Sequence, residues 1–281
     1  MRFYQRSGFQ KHCLALVAGM AVPPCALAQS SDTSALWEVG VVSAGLRQQA
    51  YPGSSEVIGR VLLLPYFIYR GQYWRSDEGN FGLRAFKSER LELDIGFAGA
   101  FGSNSSEINA RIGMPDLGTL FEFGPKLKWK LGDVERKEGW RAEFALRGVF
   151  DVSDKLRDKG VSFEPELVYE GTPISSWRYS ASLGAIYGDK RLADTFYGVA
   201  PIYALLSRPT YEAQPGLILS RLSLNVGRTI TQDVRLFGFA RVATLGGAAN
   251  VNSPLSRQSH ASTFGVGVIY TFAKSSERAE L

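Results

Sequence analysis

From Phe264 to Phe272 every second residue is large and apolar: Phe264, Val266, Val268, Tyr270 and Phe272, with Gly265, Gly267, Ile269 and Thr271 between them. A period of two is that of a strand, whose side chains alternate between faces. A strand apolar on one face, small on the other and ending on two aromatics has the pattern of the last strand of an outer-membrane barrel. The same period recurs along the chain. It predicts strands over 37–46, 60–70, 89–101, 119–131, 140–150, 161–170, 176–187, 216–227, 234–245 and 261–272, with short pieces at 72–75 and 81–86. In 89–101, Leu91, Leu93, Ile95 and Phe97 alternate with Glu92, Asp94, Gly96 and Ala98.

The polar members of these alternations choose between two all-β architectures. Glu92, Asp94, Lys128, Lys130, Arg141, Glu143, Arg147, Arg221 and Arg241 fall in mid-strand. In a soluble sandwich they would face water. In a barrel they would line a polar lumen while the other face meets lipid. The connections favour the barrel. Counting back from the last strand, 246–260 is long and 228–233 short, 188–215 long and 171–175 short, 151–160 and 132–139 intermediate, 102–118 long and 87–88 short. Bacterial barrels show this alternation, with short periplasmic turns and long extracellular loops. The expected fold is therefore an antiparallel transmembrane β-barrel of about twelve strands, or ten if 72–75 and 81–86 do not span.

The first 28 residues carry an export pattern: Arg2, Arg6 and Lys11, an apolar run from Leu14 to Val22, and a small-x-small site at Ala26-Leu27-Ala28. This predicts a signal peptide over 1–28, cleaved near Ala28, a barrel over 29–272 and a polar tail over 273–281. Pro23 and Pro24, directly before Cys25, argue against a lipoprotein signal. Both cysteines lie in the signal, so the exported chain would have no disulfide, thiolate metal site or cysteine nucleophile. The formal net charge of +5 owes three positive charges to residues 1–28, leaving a nearly neutral remainder with no basic patch for nucleic acid. After the signal there is no run of 18 apolar residues, so no helical membrane span is expected. Trp37, Tyr66, Phe67, Tyr69, Tyr73, Trp74, Trp129, Trp140, Trp177, Tyr270 and Phe272 are expected to form interface girdles, since amphipathic rings prefer the headgroup level.

Several blocks carry a family resemblance. They are Tyr51-Pro52-Gly53-Ser54, then Leu64-Pro65-Tyr66-Phe67-Ile68-Tyr69-Arg70, Gly124-Pro125-Lys126-Leu127, and Thr195-Phe196-Tyr197-Gly198-Val199. Phe239, Arg241, Leu245, Gly246, Ala248, Ala249, Ser253 and Pro254 follow, and then Phe264 to Phe272. In order and spacing the chain resembles the outer-membrane family named for the MltA-interacting protein, together with the OmpV porin-like proteins. It departs in continuing past the terminal aromatic, from Ala273 to Leu281, and in carrying Ala248-Ala249-Asn250 where relatives often have an acid. The resemblance implies a non-enzymatic protein of the outer membrane. Such a protein would be a scaffold joining a lytic transglycosylase to a murein synthase, or a porin-like channel for small solutes or antibiotics. Its surroundings would be outer-membrane lipid, and no cofactor is implied.

Beyond residues 1–28 the only histidine is His260, two residues before Ser262. Such a pair on one strand face resembles the outer-membrane lipid A deacylases, in which imidazole takes the serine proton. The orienting acid that would complete the site cannot be placed from the sequence, and a rim histidine is the plainer reading. Glu107, Asp116, Asp189, Asp194 and Arg208 in the long loops are expected to be solvated charges, with an ion or ligand site at the mouth as the alternative. One histidine is too few for a typical transition-metal site.

Overall fold

The computed structural model describes residues 35–70, 74–75, 82–133, 138–171, 174 and 176–277. The expected signal peptide, most of the link between the second and third strands, and the end of the tail lie outside them. The described chain forms one antiparallel meander of twelve strands: β1 (Trp37–Gln49), β2 (Val57–Tyr69), β3 (Trp74–Arg75), β4 (Gly82–Lys87), β5 (Leu91–Ala100), β6 (Leu120–Leu131), β7 (Gly139–Asp151), β8 (Arg157–Glu170), β9 (Trp177–Gly188), β10 (Gly216–Thr229), β11 (Val234–Thr244) and β12 (His260–Lys274). Each strand pairs with its sequence neighbour, except at one seam, and β1 pairs with β12, with Ala44 opposite Gly267. The ladder runs from β2 through β1 and β12 round to β3, and no ladder joins β2 to β3 among the described residues. The seam thus falls between two strands consecutive in the chain, while its first and last strands are hydrogen-bonded together.

The alternation in the sequence becomes an inside and an outside. On β12, Phe264, Val266, Val268, Tyr270 and Phe272 are exposed. Val61, Leu63 and Phe67 on β2, Leu146 on β7, Leu183 on β9, Leu222 and Leu224 on β10 and Val242 on β11 continue the band. Exposed aliphatic side chains on consecutive strands form the lipid-facing belt of a membrane barrel. The small residues of β12 have a packing reason. Gly265 and Gly267 lie against the rings of Phe239 and Phe237 from β11, and a Cβ at either position would stand only 2.6 or 2.5 Å from a ring carbon.

Inside, the wall divides into two halves. Around β1, β2, β11 and β12 it is apolar, with Val42, Ile68, Phe237 and Ile269 buried together. From β5 to β10 it is charged. At one end the strands are joined by the short turns 88–90, 132–138, 171–176 and 230–233, and there Ser275 N donates to Trp37 O and Leu36 N to Glu277 O. Short turns and the chain's ends mark the periplasmic side of a bacterial barrel. Trp37, Tyr69, Trp129, Trp140, Trp177, Tyr270 and Phe272 all stand near this end of their strands.

The strand ends differ from the sequence reading on the outer side. β2 begins at Val57 rather than 60 and β8 at Arg157 rather than 161, because the ladders run on past the apolar belt. The 188–215 segment is not a plain loop: it contains a helix, α1 (Lys190–Tyr197), capped by the Asp189 side chain accepting from Leu192 N.

Replacing Val266, at mid-height on the lipid face, with arginine is expected to cost about 2–4 kcal/mol. Urea unfolding of the barrel in lipid vesicles measures it.

Candidate functional site

Three groups of polar residues stand out: the charged half of the lumen wall, a buried cluster near the periplasmic end, and a cap over the outer mouth.

In the wall, Lys128 Nζ lies 2.8 Å from both Glu92 Oε1 and Asp94 Oδ2, and Lys126 pairs with Glu143. Arg141 Nε donates to Glu143 at 2.6 Å and its Nη1 to Glu170 at 2.8 Å. Arg147 reaches Glu164 at 3.0 Å and Glu122 at 3.5 Å. Arg221 Nη2 lies 3.2 Å from Glu164 and 3.3 Å from Glu166, although β9 separates their strands. Gly184, opposite both Glu166 and Arg221, is the reason it can cross. A side chain there would meet Glu166 Cγ at 3.1 Å. Each of these pairs lies within one strand or joins strands no more than two places apart, so the charges lie along the wall. Arg241 is bonded to a neutral partner, its Nε donating to Ser223 Oγ at 3.1 Å. Lys130 is half-buried on the same face. The nine residues expected to line the lumen are thus all on inward faces. Glu122, Lys126, Glu164, Glu166 and Glu170 join them, and the same alternation could have found those too.

The second group was missed in the sequence. Glu38 on β1 is 2% exposed, and its carboxylate lies 2.7 Å from Arg70 Nη1 and 2.8 Å from Arg235 Nη2. Arg235 Nη2 also reaches Tyr66 Oη and Thr271 Oγ1, and those two hydroxyls bond each other. Tyr66 is therefore placed inside the barrel rather than in an aromatic girdle. It shares the inward face with Leu64 and Ile68, whereas Phe67 points outward. Burial pairs these charges because an isolated ion in such a site is costly.

The cap gathers the outer loops into a packed layer. Tyr51, Ile108, Ala110, Leu117, Val199 and Leu255 form one buried cluster, and Leu192, Ala193, Tyr197, Ala213, Leu245 and Ala248 belong to a second. Tyr51 Oη donates to Leu255 O at 2.7 Å, and Gly53 O accepts from Arg257 N and Gln258 N. Gly53 has φ of 90°, a conformation that favours glycine. Ser253 Oγ donates to Tyr197 O at 2.7 Å, and Asn250 Nδ2 to Gln214 O at 2.8 Å. Three of the sequence blocks that carry the family resemblance, at 51–54, 195–199 and 245–254, meet in this layer. Burial pushes the Tyr51 hydroxyl up to about 12, against the pull of the Arg111 guanidinium beside it.

Arg208 is not a solvated loop charge. It is 4% exposed, with Nη1 donating to Ala110 O at 2.9 Å and Ile112 O at 3.0 Å, and Nε and Nη2 donating to Tyr203 O. Two of its three partners, Ala110 and Ile112, are nearly a hundred residues away, which local sequence reading does not see. Asp116 accepts from Ser105 N, and Asp194 from Ala213 N and Lys190. His260 and Ser262 are both exposed on the outward face of β12, and no carboxylate is bonded to His260 among the described residues. A serine–histidine–acid site is not assembled there. No group of three or more His, Cys, Asp or Glu side chains suited to a metal ion occurs among the described residues.

A twelve-stranded meander with an apolar belt outside, paired charges inside and loops gathered over one end defines an outer-membrane β-barrel protein. Over residues 39–272 the sequence matches the family of the MltA-interacting protein MipA, and the chain belongs to that family. No curated protein matches the sequence. Among solved structures it is similar to the NanC porin, with 10% identity and a TM-score of 0.39 over 82% of this chain and 98% of that one. It is also similar to the outer membrane phospholipase A from Escherichia coli, with 12% identity and a TM-score of 0.33 over 89% and 98%. The Pseudomonas putida toluene transporter TodX gives 11% identity and a TM-score of 0.36 over 89% and 92%.

Replacing Arg208 with alanine leaves the carbonyls of Ala110, Ile112 and Tyr203 without their charged donor. Each such bond is worth about 1.5–3 kcal/mol. Limited proteolysis should then cut 102–118 and 198–213 much faster, while the heat-modified gel mobility of the folded barrel is unchanged.

Proposed function

We propose that this chain is a non-enzymatic outer-membrane scaffold that holds a lytic transglycosylase, and with it a murein synthase, at its periplasmic end. The observation that carries the reading is the packed cap. Interlocked loops with buried side chains such as Tyr197 and Leu255 lie over the outer mouth, which suits a protein working from its inner end more than a wide pore. Membership of a family named for binding MltA supports it. At the inner end the turns expose two large aliphatic side chains, Ile174 at 63% and Ile230 at 48%. They belong to neighbouring periplasmic turns, after β8 and after β10, and apolar groups in such places suit a protein partner.

The test is affinity capture of the tagged full-length chain from outer membranes. A lytic transglycosylase should be recovered with the wild type, and Ile174→Glu with Ile230→Glu together should reduce the yield at least tenfold without affecting barrel assembly. No transglycosylase on the assembled wild type would overturn the scaffold reading.

A second reading, a channel for small solutes, is favoured by the way the ion pairs follow the wall. Charges that neutralise each other between nearby strands do not have to cross the axis. Arg241, whose bonded partner is a serine, would then bear on ion preference. In planar bilayers the wild type would conduct, and Arg241→Glu would shift its selectivity toward cations. Absence of conductance from folded protein removes this reading.

A further inference from the structure

The lipid face of β1 differs from that of its two neighbours. Its outward positions toward the outer rim are Ser43, Gly45 and Arg47. Ser43 lies between Leu63 of β2 and Val268 of β12, and Gly45 between Val61 and Val266. Val61, Leu63 and Val266 are the most exposed aliphatic side chains of the belt, at 87%, 72% and 68%, so they stand up as ridges on either side. A Cβ added at Gly45 would meet no atom within 4 Å. The wall therefore carries a groove one strand wide. Its ridges are about 10 Å apart, two strand spacings, which leaves room for one hydrocarbon chain between their side chains.

Arg47 stands at the outer end of this groove. It is exposed and points outward beside Phe264 of β12. It lies ten residues along β1 from Trp37, which is near the periplasmic end. At roughly 3.3 Å per residue and a tilt of about 40°, that spans about 25 Å across the membrane, the height of the apolar band. Arg47 is thus at the level of the outer headgroups. Its guanidinium has no hydrogen bond or ion pair among the described residues. Its neighbours on the outward face are Gly45 and Gln49 along the strand and Gly59 and Phe264 across it, none of them charged. Glu56, just before β2, is turned to the cap, where it accepts from Ser54 Oγ, Ser55 Oγ and Asn109 N. Other exposed cations at the outer end are paired within the chain: Arg157 lies 3.0 Å from Asp154, and Arg191 pairs with Asp158. Ser262 and His260, further out on the same face of β12, are exposed as well.

We propose that a phosphorylated lipid of the outer leaflet binds along β1, with its phosphate on Arg47 and one acyl chain in the groove over Ser43 and Gly45. The planar fork of arginine suits a phosphate through two parallel bonds. Its aliphatic stem lies along the apolar wall while its head reaches the headgroups. Ser262 and His260 add polar groups beyond it. A free phosphate would match the arginine and leave the groove empty, and a neutral lipid would do the reverse. Only a lipid with an anionic head matches both. The site is on the outer half of the barrel's exterior and does not depend on the scaffold reading, which concerns the inner end.

Native mass spectrometry of the full chain, folded in detergent, tests it. The probes are bisphosphorylated lipid A and the same lipid A with its phosphates removed. The wild type should retain the phosphorylated form roughly tenfold more, the worth of one charge-assisted bond. Inorganic phosphate in excess should not displace it. Arg47→Gln should bring the two lipids to equal retention. Gly45→Leu fills the groove, leaves Arg47 in place and should lower the retention of both. Arg157→Gln, at a paired cation on the outer end of β8, should keep the wild-type preference. Heat-modified gel mobility checks that each variant is folded. Equal retention of the two lipids by the wild type, displacement by inorganic phosphate, wild-type preference in Arg47→Gln, wild-type retention in Gly45→Leu, or loss of preference in Arg157→Gln would overturn the proposal.

Discussion

A backbone inside a bilayer has no water to bond with, so every N–H and C=O at that depth must find a partner in the protein. The rest of this structure follows from that constraint. A meander satisfies the interior strands, and pairing β1 with β12 satisfies the strands at the ends of the chain; among the described residues only the facing edges of β2 and β3 have no ladder between them. Curling the sheet in this way puts one face of each strand in lipid. Polar side chains are then confined to the other face.

That confinement explains the wall. Acids and bases from six strands are crowded onto one interior surface, where they cannot all be hydrated. They are stable there because opposite charges lie within reach on adjacent strands, or across a glycine on the strand between, as Arg221 and Glu166 do over Gly184. The apolar half has no such need. Phenylalanine rings laid over glycines fill it instead. The Glu38–Arg70–Arg235 cluster lies toward the periplasmic end of the strands that form this apolar half, and ties β1, the end of β2 and β11 together where the chain's two ends meet.

Much of the barrel was legible in the sequence because a strand's period is strict and the lipid face tolerates few exceptions. Phe264 to Phe272 is readable without a structure, and so is the inward face that carries Lys128 and Glu143. The cap was not legible. Its charges looked like loop charges because their partners are carbonyls far away in the chain, as with Arg208 and Ala110. The helix α1 left a fainter trace: Asp189 as a cap, then Leu192, Ala193, Phe196 and Tyr197 at helical spacing. Eight residues inside a long loop do not announce themselves against that background. Tyr66 has the aromatic character of a girdle residue, but the parity of its position, shared with Leu64 and Ile68, turns it inward to Arg235.

The pairing of β1 with β12 also sets the order of events in folding. Ala44 and Gly267 face each other across more than two hundred residues of chain, so this contact has a high loop-closure cost and forms late. Until β12 is in place, β1 lacks one of its two partners and presents a free edge. That edge needs shielding until the ladder closes, and a truncation anywhere before β12 leaves an adhesive strand rather than a smaller barrel.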